Sequence, residues 1–301
     1  MSAQSQTNEW SVTRLAGALG AEVEGLSLAE LGPTDIAAIK RLLNEHMVLF
    51  FPAQHLTEEQ HVAFGRHFGT LEGHPNLSNP FTKTPELFEL AASGGGIADE
   101  WHSDLTFQAE PSIYSILHMI KCPPAGGDTM WSSMYAAYEA LSAPIKEMCD
   151  GLTALHDAHP HDHSEQTAIH PVVRVHPETG RRSLFVNEHF TRRIVEMSAV
   201  ESQTLLPFLT SWVQKPQFTV RYHWHEGTVA IWDNRCTQHY VLNDFDDERI
   251  IQRVTIVGDQ PTAIGAPRWE PAVGFGRGSA MARHDRQLGR HLKLSRQSQF
   301  S

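Results

Sequence analysis

His102-Ser103-Asp104 sets an imidazole and a carboxylate two residues apart. At strand spacing both side chains fall on one face. A single strand end would then offer two adjacent ligand positions to a divalent metal. A second imidazole from a distant strand would complete a 2-His-1-carboxylate face, which leaves open coordination positions and suits non-haem Fe(II). With 19 His and 35 acidic residues in the chain, an H-x-D tripeptide arises readily by chance, so its weight comes from what lies downstream. His239 lies just past an apolar strand, and Arg249 and Arg253 follow it 10 and 14 residues on. Residues i and i+4 of a strand share a face, so both guanidiniums can reach one cavity. There they need anionic partners, because an unpaired charge in an apolar interior is costly. Salt bridges with the chain's own acids are the competing use of these two arginines.

The rest of the composition narrows the chemistry. Cys122, Cys149 and Cys236 are isolated and odd in number, so neither a disulfide framework nor a C-x-x-C zinc or redox motif is available. Any metal must be held by His and carboxylate. The cluster His156, Asp157, His159, His161, Asp162 and His163 has no helix or strand period that would aim its ligands at one point, and it reads as a solvated loop. A net charge of −11 argues against nucleic acid or an anionic membrane surface as partner. No run of 18 apolar residues exists and the N-terminus is polar, so a soluble, cytoplasmic protein is expected. The charge is uneven. Residues 268–301 hold seven Lys/Arg against two acids, a basic extension that either folds back on an acidic body or stays solvated.

The elements that would position these residues are mainly strands. Met47 to Phe51, closed by Pro52, is a continuous apolar run of the kind buried on both faces. Helices are expected from Thr34 (Ile36, Ile39, Leu42 and Leu43 on one stripe), from the Thr57/Gln60 capping box, and from the Ser198/Glu201 capping box. A short helix from Ser132 or Ser133 runs to Leu141. Residues 72–98, rich in Pro, Asn, Ser and Gly, read as a long irregular lid before the candidate metal site. Ser112 to Ile120, Phe218 to Trp224, Thr228 to Trp232 and Arg249 to Val257 read as strands, and 171–186 as a hairpin around Pro177-Glu178-Thr179-Gly180. The fold class expected is mostly β with α elaborations, a jelly roll of the cupin-like kind. It makes one domain over 1–267, followed by the extension 268–301.

These residues resemble the taurine/2,4-D dioxygenase family of Fe(II)- and 2-oxoglutarate-dependent oxygenases. The likeness runs through Gly17-Ala18-Leu19-Gly20-Ala21-Glu22-Val23, Trp101 to Phe107, Gly126-Gly127-Asp128-Thr129, Ala136 to Leu141, His170-Pro171-Val172-Val173, Leu184 to Glu188, Trp232-Asp233-Asn234-Arg235 with His239, and Arg249 to Arg253. The resemblance implies a double-stranded β-helix with His102, Asp104 and His239 as the iron triad. It implies Thr129 and Arg249 as partners of the distal carboxylate of 2-oxoglutarate, with O2 as second co-substrate. It also implies Arg253 at the anionic head of the substrate, assisted by His74 and Phe190, and a homo-oligomeric state, dimer or tetramer. Asp104 favours hydroxylation, since relatives that halogenate carry a small residue at that position. Two departures concern the substrate. Taurine-type relatives place an asparagine where this chain has Ala98 and a tyrosine where it has Leu77, so polar contacts suited to an amino group are lost.

The expected activity is hydroxylation of a small anionic organic molecule (an alkyl sulfate, alkanesulfonate or aryloxyalkanoate) with release of succinate and CO2. Hydroxylation beside the heteroatom would give a product that falls apart. Three other readings share parts of this ligand set. They are a cupin-like sensor that holds metal without turnover, a zinc hydrolase using the same three residues, and an oxygenase of a biosynthetic pathway.

Overall fold

The structure is a computed structural model that describes residues 10–76, 82, 84–94, 98–272 and 286–293. Its elements in chain order begin with β1 (Ser11–Arg14), β2 (Ala21–Glu24), α1 (Pro33–His46), β3 (Val48–Phe51), α2 (Glu58–Arg66), β4 (Leu71–Glu72) and β5 (Leu87–Ala91). There follow β6 (Tyr114–Lys121), β7 (Thr129–Ser133), α3 (Met134–Glu139), α4 (Ala143–Cys149), β8 (Thr153–Ala158), β9 (His163–Pro171), β10 (Val173–Val175), β11 (Arg182–Leu184) and β12 (Thr191–Ile194). The chain then runs through α5 (Ala199–Trp212), β13 (Thr219–Tyr222), β14 (Val229–Asp233), β15 (Thr237–Val241) and β16 (Ile250–Ile256) to a last helix, α6, at 286–293.

The strand period decides how the layers pack. In β3, Leu49 and Phe51 belong to the cluster that α1 and α2 cover, with Ile39, Leu43, Val62 and Phe64. Val48 and Phe50 belong to the cluster on the opposite face, with Leu117, Trp131, Tyr222, Trp224 and Trp232. Alternation along one strand thus feeds two cores, which is why the run 47–51 is apolar throughout. The major sheet has the order β1-β2-β3-β14-β6-β16-β4, with β5 also pairing β16, and it faces a smaller sheet, β13-β7-β15. The two sheets make the jelly roll and do not close into a barrel. Between them Phe50 stacks on Tyr222 at 3.8 Å and meets Trp131 edge-on at 5.1 Å. Each such fully buried side chain stabilises the sandwich by roughly 1.5–3 kcal/mol.

Both capping boxes form as their residues predict, Thr57 with Gln60 and Ser198 with Glu201. The first helix starts earlier than expected. Gly32 is its cap, its amide donating to Asp35 Oδ2 at 2.8 Å, and Pro33 rather than Thr34 opens the helix. Two polar stretches also differ from expectation. Within 72–98, Leu87–Ala91 is a strand lying on Ile250–Val254; residues 77–81, 83 and 95–97, and with them much of the expected lid, lie outside the described residues. The segment 156–165 is not a solvated loop but the end of a hairpin. β8 and β9 pair from Thr153↔Pro171 to Ala158↔His163, joined by a 3-10 turn at His159–His161. The strand Leu87–Ala91 and the tip of the 156–165 hairpin both edge one cavity, and their pairing partners supply the order that their own pattern lacks.

Several histidines must stay neutral for this packing to hold. Burial, reinforced by His118, pushes the His61 imidazole down to about 3, although its Nε2 lies 3.1 Å from the Ile116 carbonyl. Burial likewise pushes His118 and His170 to about 4. In the unfolded chain these rings gain a proton below about pH 6.5, whereas in the folded chain they resist it down to pH 3 to 4. Stability from keeping them neutral is therefore complete above pH 6.5 and is lost as the pH falls from there towards 4 for His118 and His170 and towards 3 for His61. For the fully buried His61 the loss by about pH 5 is about 2 kcal/mol. Denaturant titrations at neutral and mildly acid pH should show a steep fall for wild type. In His61→Gln, which can still donate to Ile116, that fall should be smaller by about 2 kcal/mol. An equal fall in both proteins would mean that His61 does not resist protonation.

Candidate metal centre and substrate cavity

His102 and His239 face each other across an isolated antiparallel bridge. The His102 amide donates to the His239 carbonyl at 3.1 Å and the His239 amide to the His102 carbonyl at 2.8 Å, with the rings 4.1 Å apart. The H-x-D pair does not lie on a strand as expected. The chain leaves the bridge in a turn, with Leu105 at φ 54°, and this turn, not the strand period, brings the Asp104 carboxylate back beside the rings. His102 Nε2 lies 3.9 Å from Asp104 Oδ1. Candidate ligand atoms of all three residues lie within 4.8 Å of one another, and all three are buried.

The donor set fits a divalent first-row metal. Both imidazoles are held neutral, His239 at about 4 and His102 well below its ordinary value, chiefly by burial. Their lone pairs are thus available at neutral pH. His102 Nδ1 sits 2.7 Å from the Glu100 carbonyl, so Nδ1 carries the proton and Nε2 is left to coordinate. Burial alone would raise the Asp104 carboxyl, but Arg253, His239, His102 and the Ser115 hydroxyl overcome it and hold the group well below the usual carboxylate range. Ser115 Oγ donates to Asp104 Oδ2 at 2.6 Å and accepts from Asn234 Nδ2 at 2.9 Å. Asn234 Oδ1 accepts from the Trp232 indole at 3.0 Å and from the Asp104 amide at 3.3 Å. This chain of contacts fixes the carboxylate, and reading the sequence missed it. The available signal was Ser115 itself, a small polar residue sharing the inward face of β6 with Leu117 and Met119.

Arg249 and Thr129 also come together. Arg249 Nη2 is 3.4 Å from Thr129 Oγ1, and Arg249 Nε donates to the Gly127 carbonyl at 3.1 Å. The turn before Thr129 needs its glycines. Gly126 has φ +77°, and a Cβ there would meet the Asp244 carbonyl at 2.4 Å. Arg249 is buried, and burial pushes its guanidinium down to about 10 against the partial relief of Cys122 and Asp128. Among the described residues no carboxylate lies within ion-pair distance of it. Thr129 Oγ1 already accepts from the Trp224 indole at 2.9 Å, which leaves its hydroxyl proton to donate.

One cavity of about 590 Å3 contains the candidate triad, Thr129, Arg249, Arg253, His74, Phe190 and Ala98. Every sequence-predicted site residue is therefore in one place; Leu77 lies outside the described residues. Arg253 makes a contact not foreseen: its Nη1 is 2.8 Å from Asp104 Oδ1, while its Nε is buried with no partner among the described residues. His74 Nδ1 accepts the Asn76 amide at 3.2 Å, which puts that ring's proton on Nε2. The sequence reading also missed His161 and His189, which line the same wall. His161 lies 5.1 Å from the His74 ring and 5.5 Å from Phe190, and His189 Nδ1 pairs with Glu100 at 2.6 Å. Each was hidden in a polar stretch whose spacing points nowhere in particular.

A second trio, His176, Asp233 and Cys236, also has spacing compatible with a metal. There Asp233 is already matched by Arg235 (2.6 Å) and by His176 (2.9 Å), and burial pushes the Cys236 thiol up, so no thiolate is on offer. Its part is structural. It fixes the turn between β14 and β15 and thus the strand that carries His239.

A jelly roll with two opposed histidines and a carboxylate at one end of its core, beside a buried arginine without a counter-ion among the described residues, defines a non-haem iron oxygenase type of site. The chain belongs to the taurine catabolism dioxygenase TauD, TfdA family, whose model matches residues 11–255. It is a 2-oxoglutarate-dependent dioxygenase that uses Fe(II), 2-oxoglutarate and O2, which sets aside the non-catalytic sensor. It is similar to an alkylsulfatase of Acinetobacter baylyi, 38% identical over 86% of this chain and 88% of that protein. An alpha-ketoglutarate-dependent sulfate ester dioxygenase of Pseudomonas putida is 36% identical over 85% of this chain and 92% of that protein. A solved structure of a taurine dioxygenase from Burkholderia xenovorans superposes with a TM-score of 0.79 at 37% identity, covering 93% of this chain and 99% of the other.

Proposed function

We propose that His102, Asp104 and His239 hold Fe(II), that Arg249 with Thr129 binds the distal carboxylate of 2-oxoglutarate, and that Arg253 with His74 binds the anionic head of an organic substrate, an alkyl sulfate ester in the first instance. The observation that carries this reading is the single cavity shared by the ligand set and both arginines. When bound, Fe(II) with 2-oxoglutarate and O2 supplies oxidation of a substrate C–H bond, one oxygen atom ending in succinate and the other in the new hydroxyl. The protein's own contribution is placement. A planar guanidinium matches a carboxylate or sulfate through two donors, and Arg253 still has its Nε to give. Phe190, Leu117 and Ile251 supply apolar walls that exclude water from the reacting carbon. Hydroxylation of the carbon bearing the sulfate oxygen gives a hemiacetal ester, which collapses to an aldehyde and sulfate without further help.

Ala98 supports the choice among anions. At this wall the chain offers a methyl group where a substrate ammonium would need an acceptor, so taurine is desolvated without compensation, a penalty of several kcal/mol. Longer straight chains gain about 0.8 kcal/mol per buried methylene until the cavity is full. The test is a panel of taurine, alkyl sulfates and sulfonates of rising length, and aryloxyalkanoates, followed by succinate and product together in wild type and Arg253→Ala. Alkyl sulfates are expected to be best, with taurine poor and Arg253→Ala weakest on every anion. Preference for taurine, or for a neutral or cationic molecule over all anions, would sink the assignment. We further propose that residues 1–267 are the catalytic domain, that the working form is a dimer or tetramer, that neither nucleic acid nor membrane is a partner, and that the location is cytoplasmic. The three unpaired cysteines are in keeping with a reducing compartment.

A further inference from the structure

The C-terminal helix α6 lies beyond the residues that match the family and does not itself line the substrate cavity, yet it braces the hairpin whose tip does. Leu288 is fully buried against Leu155 and Val195. Next to it, Gln287 Nε2 donates to the Ser164 carbonyl at 2.7 Å and lies 3.2 Å from Asp157 Oδ2. Ser164 is on β9 and Asp157 on β8, so one side-chain amide bridges both limbs of the hairpin. Asp157 is itself buried, and its other oxygen takes Arg192 Nε at 2.6 Å and the His159 amide at 3.1 Å. What this hub holds is the turn His159–His161, whose tip puts His161 into the cavity, edge-on to Phe107 at 5.7 Å and to Phe190 at 5.5 Å. The Asp157 amide also donates to the Phe190 carbonyl at 2.9 Å, tying the same hub to the opposite side of that wall.

We propose that α6 is a specificity element: Gln287 is a positioning residue that fixes the 159–161 turn, and His161 with it, and so sets how tightly the cavity grips its organic anion. This rests on the substrate reading above for which ligand feels the wall, but not for whether the helix holds the turn. His161 is not asked to titrate. Its place in the wall is what matters, because a wall left to rock admits water and loses contact with the substrate's apolar body.

The experiment compares wild type, Gln287→Ala, His161→Ala and the double variant, each as the full chain. Hydrogen exchange, which needs no substrate, should be faster across 157–166 in Gln287→Ala and unchanged in β16. With n-hexyl sulfate as probe, KM should rise roughly three- to tenfold in Gln287→Ala, the effect of losing one or two hydrogen bonds. KM for 2-oxoglutarate, bound on the other side of the cavity, should stay at its wild-type value. The double variant should cost no more than His161→Ala alone, since both act through one wall. Unchanged exchange at 157–166 would overturn the proposal. So would faster exchange with an unaltered KM for hexyl sulfate, or full additivity in the double variant. If wild type consumed no alkyl sulfate at all, the substrate reading would fall, and the exchange comparison would still decide for or against the clamp.

Discussion

Replacing Asp104 by asparagine, or His239 by glutamine, lowers Fe(II)-dependent succinate formation by at least about 100-fold while the protein stays folded. The size follows from the ligand count: disturbing groups that merely orient ligands costs 10- to 100-fold, and losing one of three ligands costs more. Folding survives because the aromatic core between the sheets does not include these residues. Asparagine is the sharper choice at 104. Its amide can still accept from Arg253 and meet Ser115, so shape is kept and the negative charge alone is lost. Asp104→Ala, by contrast, would leave Arg253 half-buried without its partner and mix a stability effect into the result. Ser115→Ala should sit between wild type and the ligand variants, at about tenfold, because it frees the carboxylate without removing it. Anaerobic calorimetry with Fe(II), succinate assays and thermal unfolding together make the measurement. Near wild-type succinate production in any ligand variant would mean that the metal sits elsewhere.

The candidate ligands were legible only in combination: His102-Ser103-Asp104 alone is weak among 19 His and 35 acidic residues, and it was the flanking motifs that resemble the family, with His239, Arg249 and Arg253 downstream, that singled them out. Their geometry was not. A strand period predicts one face for residues 102 and 104, whereas the carboxylate arrives through a turn at Leu105 that is stabilised by contacts to Asn234, 130 residues away. Apolar elements were equally readable. The run Met47–Phe51 announces burial on two faces, and the capping boxes at Thr57 and Ser198 fix helix starts through contacts three residues long. Such signals are local, so the sequence contains them whole.

What failed to show were elements whose order is supplied from a distance. Leu87–Ala91 has a strand's composition only over a few residues, and it becomes a strand because β16, some 160 residues on, offers it an edge. The 156–165 segment reads as a loop because its histidines and acids obey no period. In the fold they divide between tasks: His156 packs against Thr106, Asp157 anchors Arg192 and Gln287, and His161 faces the cavity. A polar residue that satisfies a buried partner looks the same in sequence as one that satisfies water. The basic extension gave a choice between docking and solvation, and its described helix, α6, docks through Leu288, an apolar residue the charge count passed over.

Arg249→Ala should raise the apparent KM for 2-oxoglutarate roughly 10- to 150-fold, the equivalent of the 1.5–3 kcal/mol that a charge-assisted contact contributes. Turnover at saturating co-substrate should change much less. The stability readout carries the more telling sign. In wild type without co-substrate, Arg249 is buried beside a threonine hydroxyl and a backbone carbonyl, with no carboxylate at ion-pair distance among the described residues. Desolvating a charge with no counter-ion costs stability, so removing it should leave the free protein as stable as wild type or more so. Binding of 2-oxoglutarate to the Fe(II)-loaded, anaerobic protein should then raise Tm in wild type and hardly at all in Arg249→Ala. Arg249→Lys separates charge from fork: a point charge restores part of the stabilisation but not the planar, two-donor match. Thr129→Val should also weaken co-substrate binding, and it should lower the stability of the free protein as well, since the Trp224 indole loses its acceptor. If Arg249→Ala bound 2-oxoglutarate as wild type does, the distal carboxylate would have to be held by Arg253, the other arginine of the cavity, and the roles proposed for the two residues would need to be exchanged.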